Sequence, residues 1–479
     1  MTQSGNPRFY GLDALRGFAI LTMVLSGIIP YRILPSWMYH AQVPPPDHVF
    51  NPNLPGITWV DLVFPFFLFA LGAAIPLALG RRLKYVDEAA YTLQGWWESW
   101  LPIGKGILER VFLLAFFALF VQHSNPWLIS KDPGWQVWLL QLARFACLFA
   151  IFARWPKHWS SDLRSSIHIA GWLGALLFLM FTTYANGTGF SFLRNDIIIV
   201  VLANTALFGT IVWLVTRRNW WLRIGILGVL AAFRLAHGSE GWIKVLWDFS
   251  PFTWLYQLYF LQYLFIVIPG TMIGDMIAQW MGEANDGDRH QLPGLSAVLM
   301  MLLLFIPLEL IGLKARWVTP TVLLSIGLAV AVWLLIRHWD GVSGRYLKRF
   351  YVWGVYWLML GLMFEPYEGG IKKDHPTLSY YFLTTGLAII LLMAFIIIID
   401  IWRKPGYLKL LIDSGQNPMI AYVGMKCIIH PIIQPTGIFG LMEKLTSAPW
   451  PGFFRGLFLT IVLAWIVSVF THKKLFWRA

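Results

Sequence analysis

The chain has 479 residues, of which 58% are hydrophobic and only 13% are charged, and its mean hydropathy is +0.62. A soluble domain carries about 25% charged residues, so this composition excludes an ordinary soluble enzyme. The net charge of +13 does not indicate a nucleic-acid-binding protein, because the basic residues stand in short clusters between apolar runs, where membrane orientation requires them.

Apolar runs of about 20 residues, the length of a helix that crosses a bilayer, recur from one end of the chain to the other. Helices satisfy their own backbone hydrogen bonds in lipid, so we predict an all-α, polytopic integral membrane protein with about 14 spans, and not fewer than about 12. The predicted spans are 14–33, 58–79, 103–122, 134–153, 167–184, 195–215, 220–236, 252–279, 296–313, 319–337, 349–364, 379–401, 417–435 and 453–471. We treat residues 1–479 as one membrane domain.

The loops between these spans alternate in charge. Loops that follow even-numbered spans hold more Lys and Arg than the others, for example at 81–84 and 217–218. This asymmetry predicts that both termini are cytoplasmic. The polar segments 37–55 and 365–376 then lie together on the opposite side of the membrane.

Asp13 and Arg16 stand at the start of the first predicted span, three residues apart and therefore on one helical face. They can form a structural pair, with Asp13 also favouring the helix N-terminus. The alternative is that they bind a charged ligand entering from the cytoplasm.

The loop after the first span contains His40, Asp47 and His48. Histidine suits general base catalysis near neutral pH, and a nearby carboxylate can orient its ring. The alternative is a surface loop with two solvated histidines. We predict no metal, because the spacing matches no zinc-binding pattern and no cysteine is near.

Two further residues lie at the ends of predicted helices. Asp61 lies near the start of the second span. A carboxylate at that depth in a membrane is costly, so it should face protein or water and is a functional candidate. Asn417 opens the thirteenth span, where free backbone N–H groups can bind an anion or a carbonyl oxygen. Ordinary helix capping is the other interpretation of Asn417.

Several of these segments together resemble the transmembrane acetyltransferases typified by heparan-α-glucosaminide N-acetyltransferase and its bacterial relatives. The matching segments are 12–18, His40-Ala41 with the block 56–69 (Gly-Ile-Thr-Trp-Val-Asp-Leu-Val-Phe-Pro-Phe-Phe-Leu-Phe), 372–380, 415–423 and, more weakly, 473–478. The resemblance covers core helices within 10–190 and 350–479. Residues 195–345 are less similar and should hold additional helices.

The resemblance implies that acetyl-CoA is used on the cytoplasmic side and that a glucosamine-type amine is acetylated on the other side. His40 would be the general base; because the insertion 42–55 separates it from the matching block, His48 is the reserve candidate. Asn417 or a backbone N–H would stabilise the oxyanion, and Asp61 would orient the site or bind the sugar.

The remaining roles concern the two substrates. Arg16, Asp13, Arg81 and Arg82 would bind the nucleotide end of acetyl-CoA, and Lys372, Lys373 and Asp47 would bind the acceptor. Direct transfer and an acetyl-histidine relay both fit these residues, and we favour direct transfer.

The alternatives are O-acetylation of an envelope glycan and, in a different class, a sugar or anion transporter. We expect the protein to lie in the bacterial inner membrane, and its assembly as a monomer or a homodimer is left as an alternative.

Overall fold

The computed structural model describes residues 8–31, 33–89, 93–156, 158–283 and 292–478, and within 81–99 it describes the side chain of Leu83 alone. The described residues form α-helices and short 3₁₀ and π segments, with no β-strand among them. The α-helices are α1 (Tyr10–Ser26), α2 (Trp59–Ala89), α3 (Leu93–His123), α4 (Pro126–Ile129), α5 (Trp135–Phe152), α6 (Ser161–Phe181), α7 (Ile197–Thr216), α8 (Trp220–Ala236), α9 (Trp242–Asp248), α10 (Leu264–Glu283), α11 (Leu295–Lys314), α12 (Val318–Ile336), α13 (Gly341–Phe364), α14 (Leu378–Ile396), α15 (Lys409–Gln416), α16 (Pro418–Gly424), α17 (His430–Ile433), α18 (Ile438–Leu445) and α19 (Pro449–His472).

Nine helical segments in the described part of the chain are long and apolar enough to cross a membrane. Large apolar side chains on the outer helices are exposed, such as Phe181 on α6 at 74% and Leu323 on α12 at 64%. A soluble protein does not expose apolar surface on this scale, whereas a bilayer covers it. The chain is therefore an all-helical, polytopic membrane protein, as the composition predicted.

All fourteen predicted segments overlap helical structure, but the first and the eighth extend well beyond their helices. The first helix ends at Ser26 rather than near 33, because Gly27 caps it and Pro30 lacks the N–H needed to continue. The eighth begins late: Leu258–Tyr263 is a 3₁₀ segment, and α10 starts at Leu264. Before it, the Asn204 side chain donates to the carbonyl of Leu255 at 2.6 Å and fixes that segment in turns.

The centre of the molecule is α14, in which every residue is buried. It packs most extensively against α13 and also contacts α1, α2 and α10. Because α14 is apolar all round, it can only be stable when other helices surround it. The loop before α14 and the loop before α2 are thereby brought to the same end of the helix bundle.

Helix α1 connects the two ends of the bundle that matter for function. Its 17 residues span about 25 Å. Its first half lies against α15, where small residues let the two backbones approach closely: a Cβ on Gly415 would stand 1.8 Å from the Asp13 carbonyl oxygen. The segment after its last turn leads directly to His40.

The close approach of α1 and α15 predicts that Gly415→Ala destabilises the fold by about 1–3 kcal/mol, because the added methyl group overlaps backbone atoms. Gly225→Ala in α8 is the matched control, since nothing lies within 4 Å of its added Cβ. Thermal unfolding in detergent, followed by tryptophan fluorescence, should show a lower midpoint for the first variant alone. Equal midpoints would contradict this packing.

Candidate active site

One histidine is held between two carboxylates at the end of the bundle where α2 and α14 begin. The Nδ1 atom of His40 lies 2.5 Å from Oδ1 of Asp61, and its Nε2 atom lies 2.6 Å from Oδ2 of Asp374. The side chain of Asp61 is fully buried, whereas that of Asp374 is 42% exposed. The Nδ1 side of the ring therefore faces the protein interior, and the Nε2 side faces the opening.

This arrangement favours the charged form of His40. A neutral imidazole has one N–H to donate, so donation to two carboxylates requires the imidazolium. Burial lowers the pKa of His40, but the hydrogen bonds that it donates to Asp374 and Asp61 outweigh burial, and the pKa is raised above its ordinary value. Burial raises the pKa of Asp374, yet the hydrogen bond with His40 and the charge of Lys373 outweigh it and lower that pKa.

The position of Asp61 follows from the way α2 begins. Thr58 precedes the first helical residue, and one Asp61 oxygen, Oδ2, accepts hydrogen bonds from the Thr58 N–H at 2.9 Å and the Ala41 N–H at 3.2 Å. The bond from the Thr58 N–H to the Asp61 side chain is one half of a capping box, and it satisfies a backbone donor at the helix start. It leaves Oδ1 of Asp61 for His40, so a local folding rule fixes one half of the site.

The insertion 42–55 does not separate His40 from Asp61, because the buried side chain of Gln42 joins the two ends of the insertion and closes it into a loop. The Gln42 side-chain amide donates to the carbonyls of Leu54 at 2.8 Å and Gly56 at 3.2 Å. Its oxygen accepts from the backbone N–H of Lys373 at 3.4 Å. One side chain thus joins the base of the loop to the segment that carries Asp374.

The segment 365–377, which carries Asp374, is fixed by two ion pairs from the middle of the chain. Arg316 pairs with buried Glu365. Arg234 on α8 donates to Glu368 and to the carbonyl of Pro376, each at 2.6 Å. Glu368 also accepts from the N–H of Leu378 at 2.9 Å, at the start of α14.

Both predicted acceptor-binding lysines lie next to this cluster. The Lys373 ammonium is 3.7 Å from Oδ1 of Asp61, so a positive charge stands beside the imidazole and the buried carboxylate. Lys372 is half-buried and is bonded through its backbone N–H to the hydroxyl of Thr377.

The reserve candidate His48 is not part of the cluster. Its ring is buried between Tyr31 and Tyr39, with centroid distances of 4.2 and 4.7 Å. Neither ring nitrogen has a hydrogen-bond partner among the described residues. Asp47 is exposed, and among those residues it has no ion pair. Of the two imidazoles in this loop, His40 contacts Asp61.

A second feature, which we call the arginine cavity, lies between α1, α2, α3, α7 and the C-terminal tail. Its volume is about 240 Å³. Most of its wall is apolar, and three arginines also line it. They are Arg16, Arg110 and Arg478.

Of the predicted nucleotide-binding residues, Arg16 lines the arginine cavity and Asp13 contacts Arg16. Asp13 pairs with Arg8 at 2.5 Å and with Arg16 at 3.5 Å, so Asp13 positions a guanidinium and does not itself line the cavity. The side chains of Arg81 and Arg82 lie outside the described residues.

The prediction that Asn417 stabilises an oxyanion at His40 was wrong. Its amide group donates to the carbonyl of Leu475 at 2.8 Å and accepts from the N–H of Trp477 at 3.1 Å, so both polar atoms hold the C-terminal tail. It also lies beside the start of α1, at the arginine-cavity end of the bundle, because neighbouring Gly415 contacts Asp13.

The two features lie at different levels along α2. Phe67 is the cavity-lining residue of α2 nearest to Asp61 in sequence. Their separation of six positions corresponds to about 9 Å along the helix axis. Phe64 and Phe66, both buried, occupy this interval. The arginine cavity therefore ends a short distance below His40.

Residues 8–277 match the model of a family described as a domain of unknown function, DUF5009. This match covers more than half of the chain. The chain belongs to the DUF5009 family. None of the curated proteins matches it.

The DUF5009 match includes His40 and Asp61 but ends inside α10, before the segment that carries Lys373 and Asp374. The site is thus assembled from the matched part and from the remainder of the chain. Asp374 was missed as a site residue, although it stands in the segment 372–380 that carried the resemblance. The only sequence signal for it is the run Lys-Lys-Asp in a polar loop.

Two cavity arginines were also missed. Arg110 stands in an apolar run of α3, and Arg478 belongs to the C-terminal segment 473–478, which gave only a weak match. A basic residue inside a predicted span was the available signal for Arg110. No sequence spacing predicts that Arg478 lines the same cavity as Arg16, because their proximity depends on the folded tail.

The paired carboxylates of this DUF5009 protein predict a pH shift that chemical modification can detect. Diethylpyrocarbonate reacts with neutral imidazole, so His40 should become reactive only above a midpoint that exceeds its ordinary pKa of about 6.5. Asp61→Asn and Asp374→Asn each remove a carboxylate that stabilises the imidazolium, so the midpoint should fall. Because the pKa of Asp374 is lowered, its own charge stays constant over this range.

The measurement is mass spectrometry of the peptide containing His40 after modification at a series of pH values. Asp47→Asn is the matched control, because it removes an exposed carboxylate from the same loop. An unchanged midpoint in both site variants would contradict a geometry in which His40 donates to both carboxylates.

Proposed function

We propose that this protein is a membrane-embedded acetyltransferase that moves the acetyl group of acetyl-CoA to the amine of a glucosamine-type sugar. The observation that carries the proposal is His40, held by a buried and an exposed carboxylate about 9 Å along α2 from a cavity with arginines in its wall. General base catalysis needs an oriented imidazole, and an acyl donor with a charged nucleotide needs cations at an entrance.

His40 would act through Nε2, because Asp61 holds Nδ1 from the buried side. Asp374 favours an amine acceptor over a hydroxyl. A sugar amine arrives as an ammonium ion, and it can replace the Nε2 proton of His40 as the donor to Asp374. The imidazolium can then release its proton to water at the opening, and the neutral imidazole accepts one from the bound ammonium ion, which becomes a neutral amine.

The bond changes balance without a further reactant. The amine nitrogen forms a bond to the acetyl carbonyl carbon, and the carbon–sulfur bond to coenzyme A breaks. As the carbon–sulfur bond breaks, His40 gives the proton taken from the ammonium ion to the leaving thiolate. It then takes the remaining proton from the amide nitrogen, so one proton in all is released to water. Lys373, with its ammonium 3.7 Å from Asp61, can stabilise negative charge on the carbonyl oxygen in place of Asn417.

Acetyl-CoA would enter from the arginine cavity. Arg16, Arg110 and Arg478 would hold the phosphates at the mouth, and the apolar wall would accept the thin thioester-bearing arm. This places the arginine cavity on the cytoplasmic side and His40 on the other side. It agrees with fourteen spans, cytoplasmic termini and a bacterial inner membrane, which we include in the proposal. Direct transfer requires the arm to pass the aromatic interval between the cavity and His40.

His40→Ala should lower the rate of acetyl transfer from acetyl-CoA to glucosamine by about 10²- to 10⁴-fold, the usual contribution of a general base. His48→Ala is the matched control, because His48 lies in the same loop and does not contact Asp61; it should retain activity close to that of the wild type. The assay uses purified protein in detergent and labelled acetyl-CoA.

Two results would contradict the proposal. One is normal turnover by His40→Ala. The other is sugar uptake into proteoliposomes without acetyl-CoA, which would indicate a transporter. A base-labile acetyl-protein that forms without acceptor and requires His40 would replace direct transfer with a relay.

Arg110→Gln and Arg478→Gln should each weaken coenzyme A binding by about 10- to 100-fold, the effect of losing a hydrogen bond to a charged group. Ligand that binds only the folded state raises the unfolding temperature, so a thermal shift titration measures this affinity. Arg345→Gln, an exposed residue of α13 outside the cavity wall, should leave it unchanged.

Pantetheine, which lacks the nucleotide, provides the second comparison. Its affinity should change much less than that of coenzyme A in the two cavity variants. Equal losses for both ligands would show that these arginines do not contact the phosphates.

A further inference from the structure

A second cavity, of about 180 Å³, lies between α8, α9 and the start of the α10 span. We call it the side cavity. Its wall consists of Ile226, Val229, Leu230, Phe233, Trp247, Leu258, Gln262 and Phe265. This volume is on the scale, roughly 150 Å³, at which an apolar protein cavity takes up a six-carbon ring.

The side cavity contains one polar side chain in an otherwise apolar wall. Gln262 is 3% exposed, and neither its amide nitrogen nor its carbonyl oxygen has a hydrogen-bond partner among the described residues. A buried amide without partners is costly, so its retention in such a wall points to a ligand that supplies hydrogen bonds. An apolar wall with one amide suits a hydrocarbon chain that ends in a polar linkage.

The surroundings of the side cavity face the bilayer. Val229, in its wall, is 56% exposed on the apolar face of α8. Helix α9, which contributes Trp247, has no buried residue and exposes Trp242 and Val245. In a membrane-embedded surface of this kind, the molecules that can reach the cavity are lipids.

The side cavity is also adjacent to the His40 cluster. The ring of Phe265, in its wall, lies 5.6 Å from that of Tyr381, and Tyr381 lies 5.4 Å from Tyr263. Tyr380, the neighbour of Tyr381 on α14, donates from its hydroxyl to the backbone carbonyl of Asp61 at 2.7 Å. On α8, Phe233 is followed by Arg234, which fixes the segment carrying Asp374.

We propose that the side cavity binds the hydrocarbon chain of a lipid-linked amino sugar, so that the sugar amine is presented to His40. This rests on the proposed acetyltransferase function and names its acceptor class: an amino sugar attached to an alkyl or isoprenoid chain. The chain enters from the bilayer beside Val229, and the Gln262 amide bonds the polar linkage at its head.

The test compares free glucosamine with dodecyl glucosaminide as acceptors for the full-length protein in nanodiscs. The wild type should show a KM for the dodecyl compound at least about tenfold lower, since burial of about two methylenes already changes an equilibrium tenfold. Val229→Trp fills the cavity and should abolish this advantage without changing kcat/KM for free glucosamine. Leu235→Trp, an exposed α8 position outside the wall, should keep it.

A second measurement does not depend on activity. A dodecyl glucosaminide carrying a diazirine on its chain should label peptides of α8 or of 258–265 in the wild type and in Leu235→Trp, and not in Val229→Trp. Labelling there without acetylation of either acceptor would support the lipid site while refuting the acetyltransferase. Acetylation of glucosamine with no dodecyl preference and no such labelling would overturn the lipid site alone. Preference and labelling that persist in Val229→Trp would also overturn it.

Discussion

The organisation of this molecule depends on one shared imidazole. His40 donates to Asp61 from one ring nitrogen and to Asp374 from the other, and this is possible only while it is positively charged. A fully buried carboxylate at the start of a membrane helix needs such a partner, because an unpaired charge there is very costly. The capping pattern that fixes Asp61 and the buried helix α14 that follows Asp374 both serve to place these groups together.

The middle of the chain gains a role from this arrangement. Arg234 on α8 and Arg316 after α11 bind Glu368 and Glu365, and these pairs fix the segment from which Lys373 and Asp374 extend. Removing one partner of a partly buried ion pair destabilises the fold, because the other charge is left unpaired. Each arginine therefore constrains the segment strongly. The helices within 195–345 therefore position half of the candidate site.

The sequence predicted the fold class and one half of the site. Long apolar runs are sufficient to predict helices in lipid, and Asp61 stood out because a carboxylate at that depth is rare. Asp374 was missed because it lies 334 positions from His40, and no periodicity connects loops that far apart. Asn417 was misassigned because free N–H groups at a helix start indicate a binding site and a capped tail equally well. The predicted end of α1 was wrong because Gly27 and Pro30 end the helix before the apolar run ends. The predicted start of α10 was wrong because the Asn204 side chain holds the preceding apolar segment in turns.

The charge on His40 bears on how the proposed reaction is controlled. An imidazolium is neither a base nor a nucleophile, so this geometry, which favours the charged form of His40, opposes its reaction with a thioester when the acceptor is absent. An incoming ammonium ion that replaces Nε2 as donor to Asp374 removes one of the two hydrogen bonds that stabilise the imidazolium and lowers the pKa of His40 as the acceptor arrives. Base activation is then coupled to acceptor binding, and the thioester is protected from transfer to water. An acetyl-histidine relay would need a neutral His40 before the acceptor enters, which the two carboxylates oppose, so the same geometry favours direct transfer within the proposed mechanism.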